Sequence, residues 1–192
     1  RRRQRQMCIR DSLNADRTGE MYLLQIRPIV EENQAVVENL SQIADDQCLL
    51  RTDMALGHGE SHEVRDVVYV KTSEGYNPLE NKEVAQEVET FNRQFADDGE
   101  RYVLIGPGRW GSSDPGLGIP VKWSSISAAS VIVELGIEGY QIDASQGTHF
   151  FQNLTSFGVG YFTINAWRGE GICRTDWLDA LPAVEELSLI HI

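Results

Sequence analysis

Residues 64–106, VRDVVYVKTSEGYNPLENKEVAQEVETFNRQFADDGERYVLIG, carry three elements in succession and decide the fold class. VRDVVYVK (64–71) is rich in β-branched residues and free of glycine and proline, so it is strand-like. Asn77-Pro78-Leu79-Glu80 then supplies an N-cap, a proline at the first helical position and an acid at the third. Val84, Val88, Phe91 and Phe95 repeat at helical spacing, and Gly99 is placed to end that helix. RYVLIG (101–106) reads as a buried strand.

The same alternation continues on both sides. Toward the N-terminus, EMYLLQIR (20–27) is a short strand closed by Pro28. A helix fits residues 34–44, with Asn33 as cap and Val37, Leu40 and Ala44 on one stripe, and CLLRTDMAL (48–56) is strand-like. Toward the C-terminus, ASVIVE (129–134) and YQID (140–143) look like strands. SQGTHFFQNLTSFG (145–158) suggests a helix entered through Ser145 or Thr148 and closed by Gly158, leading into the strand VGYFTIN (159–165). A last helix follows Thr175 and is interrupted near Pro182. Helices and strands alternate without an internal repeat or a low-complexity linker, so the class is α/β.

Composition bounds the function. The chain has 192 residues, 41% hydrophobic and 24% charged, which suits a globular protein with one substantial core or two small ones. With 17 Lys and Arg against 29 Asp and Glu, its net charge of -12 argues against nucleic acid or an anionic membrane as partner. No apolar stretch approaches the ~20 residues needed to span a bilayer. Cys8, Cys48 and Cys173 are few and far apart, which suggests neither a disulfide scaffold nor a zinc module and makes a reducing, cytoplasmic setting the default.

The two ends differ in character from the rest. RRRQRQMCIRDS (1–12) is basic but lacks the apolar run and cleavage site of a secretory signal. Together with SLIHI (188–192) it resembles read-through of sequencing-library adapters, so both ends are expected to be foreign and the native chain to be cut at each. Without them the chain is more acidic still. A nucleic-acid arm is the rival reading of residues 1–12, but no aromatic residue is interleaved with the arginines.

Three constellations could carry chemistry. Gly106, Gly108 and Gly111 match G-x-G-x-x-G after a strand, but Pro115, Gly116, Gly118 and Pro120 leave no room for the helix a dinucleotide site requires. The stretch also nearly fits a P-loop, with Ser112 where the phosphate-binding lysine belongs. Two readings of the loop stay open: an ordered surface loop in which Trp110 packs, and a phosphate or substrate loop using Arg109 and backbone amides. His58, Glu60 and His62 lie close together, but Gly57 and Gly59 oppose the helix that would bring both imidazoles to one metal, so a polar turn is expected. Gln25 and Arg27 share one face of their strand, where a planar guanidinium and an amide can engage phosphate oxygens or a metal-bound water; a polar sheet edge is the alternative.

TGEMYLLQIRP (18–28) resembles the last strand of the ATP-binding domain of phosphoenolpyruvate synthase and pyruvate, phosphate dikinase. The resemblance implies that Gln25 and Arg27 contact the phosphates of ATP and that Gln25 reaches the Mg2+ ion. The metal-binding glutamate it also implies falls at Leu13, where the foreign segment joins, and is missing. YVLIGPGRWGSSDPGLGIPVKW (102–123) and SQGTHFFQNLTSFGVGYFTIN (145–165) look like the C-terminal region of large bacterial proteins named for a PEP/pyruvate-binding domain. Thr148-His149 stands before the expected helix with Gly158 nine residues past the histidine, similar to the phosphohistidine motif of the dikinases. Phe150 and Phe151 depart from that motif, and Thr148 adjoins His149 directly. A neutral imidazole at a helix start can accept a phosphoryl group; alternatively, His149 caps or packs there.

The expected organisation is therefore a foreign segment (1–12), the last strand of an ATP-grasp-like nucleotide domain (13–30), a mixed-sheet α/β domain (31–187) and a second foreign segment (188–192). The expected function is that of a fragment of an ATP-dependent dikinase-like phosphotransferase, itself without turnover. Its partners would be ATP, Mg2+ and an unknown phosphoryl acceptor, with Arg109 a further phosphate contact and His149 the candidate catalytic residue. The alternative is a non-catalytic binding or regulatory module attached to an ATP-binding domain.

Overall fold

A computed structural model describes residues 10–13, 19–22, 43–57, 61–62, 64–72, 76–114, 116–138, 142, 154, 157–185 and 190–191. The chain divides into two compact units, Arg1–Val36 and Val37–Ile192. In the first, strands β1 (Arg10–Leu13) and β2 (Gly19–Tyr22) form an antiparallel pair, with Arg10 opposite Tyr22. β2 covers the start of the strand expected over 20–27.

The second unit is built on a mixed sheet. Its centre is four parallel strands in chain order: β5 (Asp66–Val70), β6 (Tyr102–Pro107), β9 (Ala129–Leu135) and β10 (Gly160–Ile164). β4 (Ala55–Leu56) lies antiparallel against β10 at one edge, and β12 (Ile190–His191) antiparallel against β5 at the other. Two small ribbons flank this sheet. β3 (Leu50–Arg51) pairs antiparallel with β11 (Ile172–Cys173), and β7 (Arg109–Trp110) pairs in parallel with β8 (Gly118–Ile119). The α/β class and the mixed sheet expected from the sequence are both present.

The helix between β5 and β6 forms where its capping residues place it. Asn77 accepts a hydrogen bond from the Leu79 amide at 3.1 Å, and Pro78–Glu80 make a tight 3-10 turn before α1 (Asn81–Asp98). The helix ends at Gly99 in a left-handed conformation, where the Glu100 amide closes back onto the Phe95 carbonyl. Val84, Val88, Phe91 and Phe95 are buried against one sheet face, together with Tyr102, Leu104, Ile132 and Tyr161. The opposite face, with Tyr69, Ile105, Val133, Leu135 and Ile164, packs against Leu50, Cys173 and Leu178, the last from α2 (Thr175–Ala180). Leu181 turns to an extended conformation ahead of Pro182 and ends α2, as a residue before proline must.

Three expectations change. CLLRTDMAL is two short strands in different sheets, because Thr52 interrupts it. The Thr52 hydroxyl accepts from the Met54 amide and donates to the Thr163 carbonyl, a local bond that competes with a continuous ladder. Ala44, expected at the end of a helix, is extended and precedes a 3-10 turn at Asp45–Gln47; residues 34–42 lie outside the described residues. Ile142, expected in a strand, is outside the sheet and is held instead by the side chain of Asn165. Of the helix expected over 145–158, Leu154 is described; it is helical, and its carbonyl accepts from the Val159 amide just past the left-handed Gly158.

Candidate functional site

The carboxyl ends of β6, β9 and β10 are where an open α/β sheet offers a ligand site. Register brings Gly106, Glu134 and Thr163 side by side there, on the sheet face that α1 covers. Gly106 is bare because the Trp110 ring lies on it: a Cβ at that position would stand 2.5 Å from Trp110 Cζ2. The ring is fixed by its own N–H, which donates to the Val133 carbonyl at 3.1 Å.

Glu134 is 1% exposed and holds the loop from beneath. Its Oε1 accepts from the Trp110 amide at 2.9 Å, and its Oε2 accepts from the Tyr161 hydroxyl at 2.5 Å. Burial pushes its carboxyl up to about 7, against the opposing pull of the Tyr161 hydroxyl, the Trp110 amide and the Arg109 charge. A carboxyl balanced there holds or releases a proton near neutral pH. Thr163 Oγ1 beside it is buried with no hydrogen-bond partner among the described residues.

The loop is closed on itself. The amides of Gly108, Arg109, Trp110 and Gly111 donate to the Leu135 carbonyl, the Leu117 carbonyl, Glu134 and the Ile119 carbonyl in turn. Gly118 lets β7 and β8 approach so closely that a Cβ there would meet the Arg109 carbonyl oxygen at 1.9 Å. The amides of Gly116 and Leu117 are taken by the side chain and carbonyl of Asp114. A phosphate-binding nest needs several adjacent amides aimed at one anion. Here those amides are spent inside the protein, which favours the ordered-loop reading over the phosphate loop of backbone amides. Trp110 packs as the ordered-loop reading requires. The Arg109 guanidinium remains the group through which this loop could meet an anion; the residue is half-buried and acts electrostatically on Glu134.

Gln25, Arg27 and His149 lie outside the described residues, as do His58 and Glu60, while His62 is exposed. Among the described residues, no three His, Cys, Asp or Glu side chains come together as a metal site, and no helix is long and apolar enough to cross a membrane. Glu134, Tyr161 and Thr163 were not singled out by the sequence. The available signal was an acid inside the apolar run ASVIVEL, where a strand buried on both faces has no solvent to receive it.

Comparison with protein-family models, with curated proteins and with solved structures finds no match to the chain.

Proposed function

We propose that the chain is part of an ATP-dependent, dikinase-like phosphotransferase of the cytoplasm, with residues 13–30 ending an ATP-grasp-like nucleotide domain and the α/β unit following it. The observation that carries this reading is TGEMYLLQIRP (18–28): a run that starts as a strand at Gly19–Tyr22 and sets an amide and a guanidinium two residues apart before a proline. On this reading Gln25 and Arg27 orient the nucleotide phosphates, and Gln25 also helps hold a Mg2+ ion, which supplies charge neutralisation when bound. Arg109 is an anion contact at the carboxyl end of the parallel strands, through its guanidinium alone. His149 accepts the β,γ-diphosphoryl group: an imidazole nitrogen forms a P–N bond to the β-phosphorus as the bond from that phosphorus to the α–β bridging oxygen breaks, AMP leaves, and hydrolysis then removes the γ-phosphate.

A second reading, a binding or regulatory module attached to an ATP-binding domain, is favoured by a different observation. The loop amides of residues 108–111 are all engaged internally, which suits a scaffold better than a catalytic phosphate loop.

Mg-ATP binding by the intact parent protein tests the first reading. Arg27→Ala and Gln25→Ala are expected to weaken it by roughly tenfold or more, the scale of one lost charge-assisted contact. Unchanged affinity in both variants would remove these residues from the nucleotide site.

A further inference from the structure

Glu134 joins two parts of the protein that could otherwise separate. One oxygen holds the backbone of the 106–120 loop at Trp110, and the other meets Tyr161 on β10. A neutral carboxyl satisfies the same geometry: its proton lies on Oε2 toward the Tyr161 oxygen, and Oε1 still accepts the Trp110 amide. An ionised carboxyl keeps both acceptors but leaves a charge in a site that the Trp110 ring, Gly106 and Tyr161 close to water, where charge is costly. Lifting the loop hydrates that charge. The titratable or charged groups facing Glu134, among the described residues, are Tyr161 on β10 and Arg109 on β7; Gly106 on β6 and Thr163 on β10 add no charge.

We propose that Glu134 is a proton-controlled latch on the 106–120 loop: protonated, it keeps Trp110 docked on the sheet, and ionised, it favours a lifted, hydrated loop that carries Arg109 away from β9. Burial sets the switching range near neutrality, since the docked carboxyl sits at about 7 and the hydrated one near the ordinary glutamate value of 4.5. The docked state thus binds more protons between these values, so opening rises with pH across that window and levels off above it.

Hydrogen exchange at the Gly108 and Trp110 amides of the 192-residue chain, which bond to Leu135 and Glu134 on β9, tests this. After correction for intrinsic exchange, opening is expected to increase on the order of tens-fold between about pH 5.5 and 8. Glu134→Gln mimics the neutral acid and is expected to abolish the dependence. Tyr161→Phe removes a donor that favours the ionised form, so the midpoint is expected to move to higher pH. Opening that does not vary with pH in the unaltered chain overturns the proposal, as does a dependence that persists in Glu134→Gln. Loop amides that match the opening free energy of α1 at every pH also overturn it, because the loop then opens only with the whole fold.

Discussion

Asn165 grips Ile142 from both sides: its Oδ1 accepts the Ile142 amide at 3.0 Å and its Nδ2 donates to the Ile142 carbonyl at 3.1 Å. This pair ties the connection between β9 and β10 to the end of β10, just as Glu134 ties the connection after β6. Gly136 leaves room for it, since a Cβ there would stand 2.1 Å from Asn165 Oδ1. Asn165→Ala strands both backbone groups of a residue that is 1% exposed, and is expected to lower unfolding stability by about 2–4 kcal/mol in urea titrations. A loss within the ~0.5 kcal/mol typical of surface positions would contradict the structural role.

Asn92 plays the same part on the helix side. It is 4% exposed, accepts from the Tyr102 hydroxyl and the Ala128 amide, and donates to the Ser124 carbonyl. Asn92→Leu, similar in size but unable to bond, is expected to cost about 2–4 kcal/mol because two buried partners, Tyr102 and Ala128, lose their bond. A stabilised Asn92→Leu protein would show that helix burial outweighs the network.

The two crowded glycines separate by what blocks them. At Gly106 a methyl group meets the Trp110 ring, which can shift; at Gly118 it meets the backbone of Arg109, which cannot. Gly106→Ala is expected to fold with a displaced tryptophan and a loss of roughly 1–3 kcal/mol. Gly118→Ala should lose more. Equal melting temperatures for the two variants would contradict this ordering.

Glu134 also leaves a mark on overall stability. Its folded pKa lies above its unfolded value, so its contribution is complete below about 4.5 and falls as pH rises toward 7. Measured against Glu134→Gln, the unaltered chain should lose about 3 kcal/mol across that window, from 1.36 kcal/mol per pKa unit. A pH-independent difference between the two would show that Glu134 titrates normally.

Much of the α/β frame was legible because local signals and burial agree there. Asn77, Pro78 and Gly99 bound α1 in both sequence and structure, and the apolar runs at 66–70, 102–107, 129–135 and 160–164 are the four parallel strands. The signal fails where one side chain overrides local pattern. Thr52 breaks a strand by bonding to Thr163, 111 residues away, and Asn165 diverts Ile142 from a strand across 23 residues. The Gly-rich loop is the instructive case: its spacing imitates a nucleotide motif, yet Gly106, Gly108 and Gly118 answer to close neighbours, the Trp110 ring, the Gly118 backbone and the Arg109 backbone in turn. The role of Glu134 was hidden for the same reason, since its partners come from β7 and β10 and no short window contains them.

The most direct test of the phosphotransferase account is protein labelling. The intact parent is incubated with Mg-ATP carrying label at the β-phosphate, and acid-labile, base-stable label is sought on the protein. The account predicts such label, and its loss in His149→Ala with ATP binding retained. Protein that binds ATP and takes up no label, or label that survives His149→Ala, would contradict it.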